Sequence, residues 1–467
     1  MKINTQRIAS IDIFRALTML LMIFVNDIPG PGESIPHWLH HALKDEDMLG
    51  LSDVVFPCFL FCVGLSIPFA IKNRIAKGDS QVQILSHIAQ RTIALLVMGL
   101  FASNSFTETA KLIGIPWELL KIISIVAFFM IWNLYPKAEG TTKKIFSSLQ
   151  TFGWLILVAL AFIFLRTPPK NNEISYVPGF IPIGFSYTKQ YLFHYLIIAL
   201  CAAFPIAVSF LRNRNKLKLI ANSIFLIVVF YLFLFKGANA EGLVGLRPGW
   251  WQILGLIGWT YVFSAVIFVF TRNKISLNVI AWLLFTLLCV FTNSGLSAQA
   301  GIAGFIPGNG SFLSLAFAGI IASLLMQRNS DKENFGKLSS SFIAIAVVMF
   351  AAATLAHRYF IISKLQETCT WIFYCTAISF VVLLFIHWIT DIKNKRAWFN
   401  IIKPAGESTL TCYLIPSVWY CVVSLFSINY PEFTRSGIGG LIKSLIFAFA
   451  IIGITWILGK LKIKLKI

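Results

Sequence analysis

The chain has 467 residues, of which 57% are hydrophobic, 15% aromatic and 12% charged, with a mean hydropathy of +0.79, values that exclude an ordinary soluble globular protein. Its formal net charge of +20 does not point to nucleic acid, because Lys and Arg stand in short clusters between apolar runs, the pattern that membrane topology produces. The eight cysteines lie in or beside apolar segments without CxxC or Cys/His metal spacing, so they read as small buried residues and no metal is expected.

The chain opens on MKINTQRIASIDIFRALTMLLMIFVND. This stretch has the basic start and apolar run of a signal peptide but no small-x-small cleavage site, and is expected to stay as the first helix. Apolar runs then predict spans over 11–27, 51–71, 84–103, 116–135, 146–165, 190–211, 217–236, 250–271, 276–293, 311–327, 340–357, 369–389, 405–426 and 439–459. The expected fold is all-α: a polytopic bundle of about 14 transmembrane helices, within a range of roughly 11 to 14. Residues 1–467 form one integral domain in this reading. With both termini cytoplasmic, the inner side would hold roughly 25 Lys and Arg against roughly 10 outside, as the positive-inside rule expects.

The loop between the first two spans is the densest in titratable groups. It carries His37, His40 and His41, three of the seven histidines, followed by KDED. A histidine titrates near neutral pH and can take a proton from a nucleophile and return it; the plain alternative is a solvated loop without chemistry. Asn26 ends the first span and Asp53 begins the second, so they bracket this loop. A carboxylate can orient an imidazole and an amide can donate to an oxyanion, while helix capping for Asp53 and a helix-end hydrogen bond for Asn26 are the structural readings.

Within the spans, ionisable residues are costly and invite a functional reading. Asp12 and Arg15 fall at i and i+3, and His87 and Arg91 at i and i+4, spacings that share a helix face. Arg15 and Arg91 are candidates to grip a ligand phosphate, or else to pair with a carboxylate or lipid headgroup. On expected outer loops, Arg247 and Asn309 are candidate contacts to a polar substrate. Glu407, at the start of a late span, is a further one, though an acidic residue there also suits the helix dipole. His194, His357 and His387 read as packing residues. No GxSxG, Walker A, GxGxxG or HExxH motif occurs.

Several stretches resemble a known family, the transmembrane acetyltransferases that include heparan-α-glucosaminide N-acetyltransferases and their bacterial NagX-type branch. They are RIASIDIFRALTMLLMIFVND, WLHHA, DVVFPCFLFCVGLSIPFA and, later, RPGWWQILGLIGW, GNGSFLSLAFAGIIASLL, ISKLQETCTWIFY and AGESTLTCYLIP. The specific motifs concentrate in residues 7–70. The resemblance implies transfer of an acetyl group from cytoplasmic acetyl-CoA to the amine of a glucosamine-type sugar across the membrane. It assigns catalysis to His41, the histidine before Ala, with Asn26 and Asp53 as partners. Ala16 departs from the Gly found in many members, and KDED departs from the family's loop, which bears on the acceptor. Acetyl-CoA, an amino sugar and the lipid bilayer are the expected partners, nucleic acid is not, and a homodimer is left open. A bacterial inner membrane is the expected location. The competing readings are an amino-sugar permease and an O- or N-acyltransferase acting on a cell-wall or lipid-linked sugar.

Overall fold

The computed structural model describes residues 8–30, 35–103, 110, 114–136, 139–165, 238–239, 242–243, 252–295, 306–329 and 332–467. The spans expected over 190–211 and 217–236, and Arg247, lie outside the described residues. The described chain forms α1 (Ala9–Asp27), α2 (Leu51–Ala76), α3 (Gln81–Ser103), α4 (Trp117–Trp132), α5 (Gly140–Leu165), α6 (Gln252–Thr271), α7 (Ile275–Asn293), α8 (Ser311–Asn329), α9 (Phe335–Ala356) and α10 (Cys369–His387). It ends with α11 (Lys403–Glu407), α12 (Thr409–Leu425) and α13 (Gly437–Lys460). Nine helices among the described residues are long and apolar enough to cross a membrane. The chain is an all-α polytopic membrane protein. Apart from a two-residue antiparallel pairing of Ala238–Asn239 with Gly242–Leu243 and an isolated bridge between Asn133 and Leu465, no β pairing occurs among the described residues.

α2 and α8 form the centre of the bundle and pack more closely than any other pair. α8 is buried nearly all round, from Ser311 through Leu324, as expected of a helix surrounded by other helices. Helices in lipid gain little from burying apolar surface against each other, so association relies on close packing of small residues. Here the contact is reciprocal. A methyl group on Gly64 would overlap the Ala316 carbonyl, and one on Gly319 would overlap the Phe61 carbonyl. Around this crossing, edge-to-face aromatic pairs tie four helices together: Phe14 to Phe61 at 6.0 Å, Phe61 to Phe380 at 5.2 Å and Phe380 to Phe342 at 5.0 Å.

The span expected over 405–426 is two helices. The chain breaks at Ser408 (φ −132°, ψ 44°), and the short α11 lies against α1, where Gly406 approaches the Asp12 carbonyl so closely that a Cβ would lie 2.6 Å from it.

The two ends of the bundle are knit differently. At the start of α1, the Asp391 carboxylate accepts from the backbone N–H groups of Ala9 and Ser10 at 3.3 and 3.0 Å, satisfying orphan donors of that helix from a residue far along the chain. The same carboxylate meets His387 Nδ1 at 3.1 Å and pairs with Arg396 at 3.1 Å, so His387, expected as a packing residue, is buried and hydrogen-bonded through Nδ1. At the other end, Asp27 pairs with Lys443 at 2.8 Å and accepts from Tyr420 at 2.9 Å. The last residues run extended beside the end of α4, with Leu465 buried and the Lys464 N–H donating to Asn133 Oδ1 at 2.7 Å.

Candidate active site

The histidine loop is folded over the start of α2 by local backbone demands. Gly50, just before α2, lies so close to the His40 carbonyl that any side chain there would overlap it, and Ser52 donates to the Leu39 carbonyl at 2.6 Å. These contacts bring His41 and Ala42 above the first turn of α2. Asp53 does not cap its own helix. One carboxylate oxygen meets His41 Nδ1 at 2.7 Å, and the other accepts from the Ala42 N–H at 3.0 Å.

Pro57, four residues on, explains the next contact. Proline has no N–H, so the Asp53 carbonyl loses its partner within the helix. The Trp371 indole, from the start of α10, donates to that carbonyl at 2.9 Å, and the buried acceptor is satisfied. The Asp-Val-Val-Phe-Pro stretch thus fixes the backbone of Asp53 as well as its carboxylate.

The dyad is asymmetric in exposure. The Asp53 side chain is 2% exposed and the His41 ring 45% exposed. A carboxylate and a ring nitrogen at 2.7 Å require a proton between them, which places N–H on Nδ1 and leaves the Nε2 lone pair free. Among the described residues Nε2 has no partner.

A third group stands at the ring. Lys364, in the loop between α9 and α10, holds its ammonium 3.3 Å from His41 Nδ1 and 6.0 Å from the centre of the Phe56 ring. Burial pushes Lys364 below the usual lysine range, although the neighbouring Asp53 charge opposes the shift. His40 is also pushed down, first by burial and then by His37 and His41; it is 8% exposed, and its Nε2 has no hydrogen-bond partner.

The Lys364 loop is clasped to the histidine loop by the acidic KDED residues. Asp47 pairs with His357 at 2.7 Å and accepts from the Ile362 N–H at 2.8 Å. Asp45 accepts from Gln366 at 3.0 Å, and the Lys44 carbonyl accepts from Ser363 and Gln366 at 2.9 and 2.8 Å. Glu46 bonds to His37 and to the Leu43 N–H, which hold it below the usual carboxylate range. These acids serve the loop's own architecture. His357, expected to be a packing residue, is instead half of this clasp.

The other candidates are dispersed. Asn26 is exposed at the end of α1 and makes no hydrogen bond to His41 or Asp53. Asn309 sits at φ 52° between Gly308 and Gly310, also at positive φ, in the turn that begins α8. Close by, Phe312 packs edge-to-face on Phe56 at 5.7 Å, so this turn is at the His41 end of the bundle. Glu407 is not at that end. Its neighbour Gly406 lies against Asp12 at the start of α1, on the order of 25 Å along the helix from Asp27, and Glu407 itself faces Lys403 at 3.7 Å. Arg15 is at that opposite end too, donating to Ser66 at 2.7 Å and to the Gly406 carbonyl at 3.4 Å, with Asp12 at 3.5 Å. Arg91 lies near the middle of α3 with its guanidinium 4.6 Å from the Tyr261 ring centre, and no contact links it to Arg15. Among the described residues no three His, Cys, Asp or Glu side chains cluster as a metal site.

Lys364 and the clasp were not singled out in the sequence. The signal for Lys364 is a lysine in a short loop on the side expected to be poor in positive charge. For the clasp, acids in one outer loop and His357 in another offered only a shared side.

Residues 7–179 match a family described as Domain of unknown function (DUF5009). The chain is 26% identical over 176 residues to mouse heparan-alpha-glucosaminide N-acetyltransferase, covering 35% of this chain and 26% of the relative. It is 34% identical over 99 residues to the human protein of the same name, covering 21% of this chain and 14% of the relative. The matches thus span about a quarter or less of those relatives' length. The family match covers the His41–Asp53 region, and over the stretches matched the chain is similar to heparan-alpha-glucosaminide N-acetyltransferases.

Proposed function

We propose that the protein is a transmembrane acetyltransferase that moves an acetyl group from cytoplasmic acetyl-CoA to the amine of a glucosamine-type sugar on the opposite face of a bacterial inner membrane, with His41 as general base. The observation that carries this reading is the His41–Asp53 pair: a buried carboxylate bound to Nδ1, and an Nε2 lone pair open to solvent. The named relatives, N-acetyltransferases, support the reaction class.

In this reading the sugar amine attacks the thioester carbonyl while His41 Nε2 takes the proton that the amine loses. The C–N bond forms as the C–S bond breaks, and the proton passes from Nε2 to the departing sulfur, giving the amide and free CoA thiol. Asp53 holds the ring tautomer and stabilises the transient imidazolium, the supporting role of a carboxylate in acyl-transfer sites. Asn26 would position the amine or the thioester carbonyl. Arg247, and Asn309 in the turn before α8, would contact the acceptor. Glu407 shares the donor end with Arg15 and is set aside as an acceptor contact. Arg15 is the better phosphate partner for CoA; Arg91, deep in α3, would meet the donor further along its path.

The orientation is supported by charge. Lys393, Lys395, Arg396, Lys403, Lys460, Lys462, Lys464 and Lys466 gather at the end opposite His41, as expected of a cytoplasmic face. Cysteine placed at Asp45 should then react with an impermeant maleimide in intact cells, and cysteine placed at Lys395 only after permeabilisation; the reverse pattern would overturn the orientation.

The activity test uses purified protein in detergent with acetyl-CoA and glucosamine, reading free thiol and N-acetylglucosamine. Turnover is expected, and His41→Ala should abolish it while thermal unfolding is retained. Accumulation of unmodified sugar in proteoliposomes without thiol release would favour a permease instead.

A further inference from the structure

The proposed chemistry contains a tension that Asp53 alone does not resolve. A base must be unprotonated before the reaction, yet a buried carboxylate at 2.7 Å favours the protonated ring as much before the reaction as during it. A second charge is needed to balance the first.

We propose that Lys364 is that balancing group: its ammonium, fixed beside His41 and Asp53, keeps His41 in the neutral, proton-accepting form. The inference rests on the reading of His41 as base. It stands on three observations. The ammonium lies 3.3 Å from His41 Nδ1. Because the Nδ1 proton is already directed to Asp53, this is a close contact between two donors, not a hydrogen bond. Lys364 also has no salt-bridge partner of its own among the described residues, so its charge acts on the dyad.

The position of that charge is built rather than incidental. The loop bearing Lys364 is pinned by Asp47 to His357 and to the Ile362 N–H, and by Ser363 to the Lys44 carbonyl. The Phe56 ring lies beneath the ammonium. Burial disfavours the charged lysine, and the Asp53 charge works to keep it, so Lys364 and His41 lie in the field of the same carboxylate. The other titratable groups around the ring are His40 and His37 on its own loop and Cys375 of α10, whose thiol lies 4.0 Å from the Asp53 carbonyl. Asp45, Glu46 and Asp47 are engaged by Gln366, His37 and His357.

The experiment compares the full chain, Lys364→Met and Lys364→Arg in detergent. Residue-resolved modification by diethylpyrocarbonate, which acylates imidazole only in its neutral form, reports the protonation of His41 by peptide mass spectrometry without requiring turnover. In Lys364→Met the midpoint for His41 should move up by about one pH unit, and Lys364→Arg should restore it. The acid limb of kcat/KM for acetyl transfer should move in parallel, with activity returning at high pH. An unchanged His41 midpoint in Lys364→Met overturns the proposal. A shifted midpoint with an unshifted acid limb supports the role of Lys364 and overturns His41 as the base.

Discussion

Asp53 holds His41 from beneath: the carboxylate is 2% exposed and the ring it binds is 45% exposed. Its other oxygen holds the Ala42 N–H and its carbonyl accepts from Trp371, so the residue has little freedom to move with the ring. Asp53→Asn should keep the fold but favour the wrong imidazole tautomer. Turnover should fall by about 100-fold or more with a small change in KM, read by thiol release from acetyl-CoA.

Asn26 is the mirror case. It is exposed and bonds to neither dyad member, so Asn26→Ala should leave thermal unfolding within about 0.5 kcal/mol of wild type. If its amide serves the reacting groups, kcat should fall by about 100-fold. Equal activity in the variant would remove Asn26 from the site.

The clasp between the two loops has a defined pH dependence. Burial works to raise the Asp47 carboxyl, but the Ile362 N–H and the His357 ring outweigh it and hold Asp47 below its ordinary range. The folded value lies below the unfolded one. Its stabilisation is therefore complete above the unfolded value of about 3.9 and is lost as pH falls through the lower folded value. Protection of the amides of residues 357–368 against hydrogen exchange, taken relative to their intrinsic rates, should fall only below about pH 4 in wild type, and should be low at all pH values in Asp47→Asn.

The α2–α8 crossing predicts where a single methyl group is not tolerated. Gly64→Ala or Gly319→Ala should destabilise the protein by about 1–3 kcal/mol, seen as earlier thermal unfolding in detergent. Gly453→Ala, where an added methyl meets nothing within 4 Å, is the control and should unfold no earlier than wild type.

The membrane helices were legible because each needs a long apolar run of its own. The expected spans that fall in the described residues coincide with helices to within a few positions, save the last turns and the break at Ser408. That break answers to a partner, since Gly406 must approach α1, and no local pattern announces it. The site divides in the same way. His41 and Asp53 lie twelve residues apart and were paired through their motifs. Lys364 reaches the same ring from 323 residues away, and Asp47 meets His357 across 310. The acids of KDED are engaged by partners in their own and neighbouring loops, and none of these pairings has a local sequence pattern.

The first helix begins under the carboxylate of Asp391 and the histidine loop is fastened by residues 357–366. A chain is synthesised from its amino end, so the segment with His41 emerges from the ribosome long before its fasteners exist. Until about three quarters of the polypeptide has been made, that loop has neither Lys364 beside it nor its clasp. The His41–Asp53 contact is thus formed by neighbouring segments, and its surroundings are completed by a residue that arrives 323 positions later.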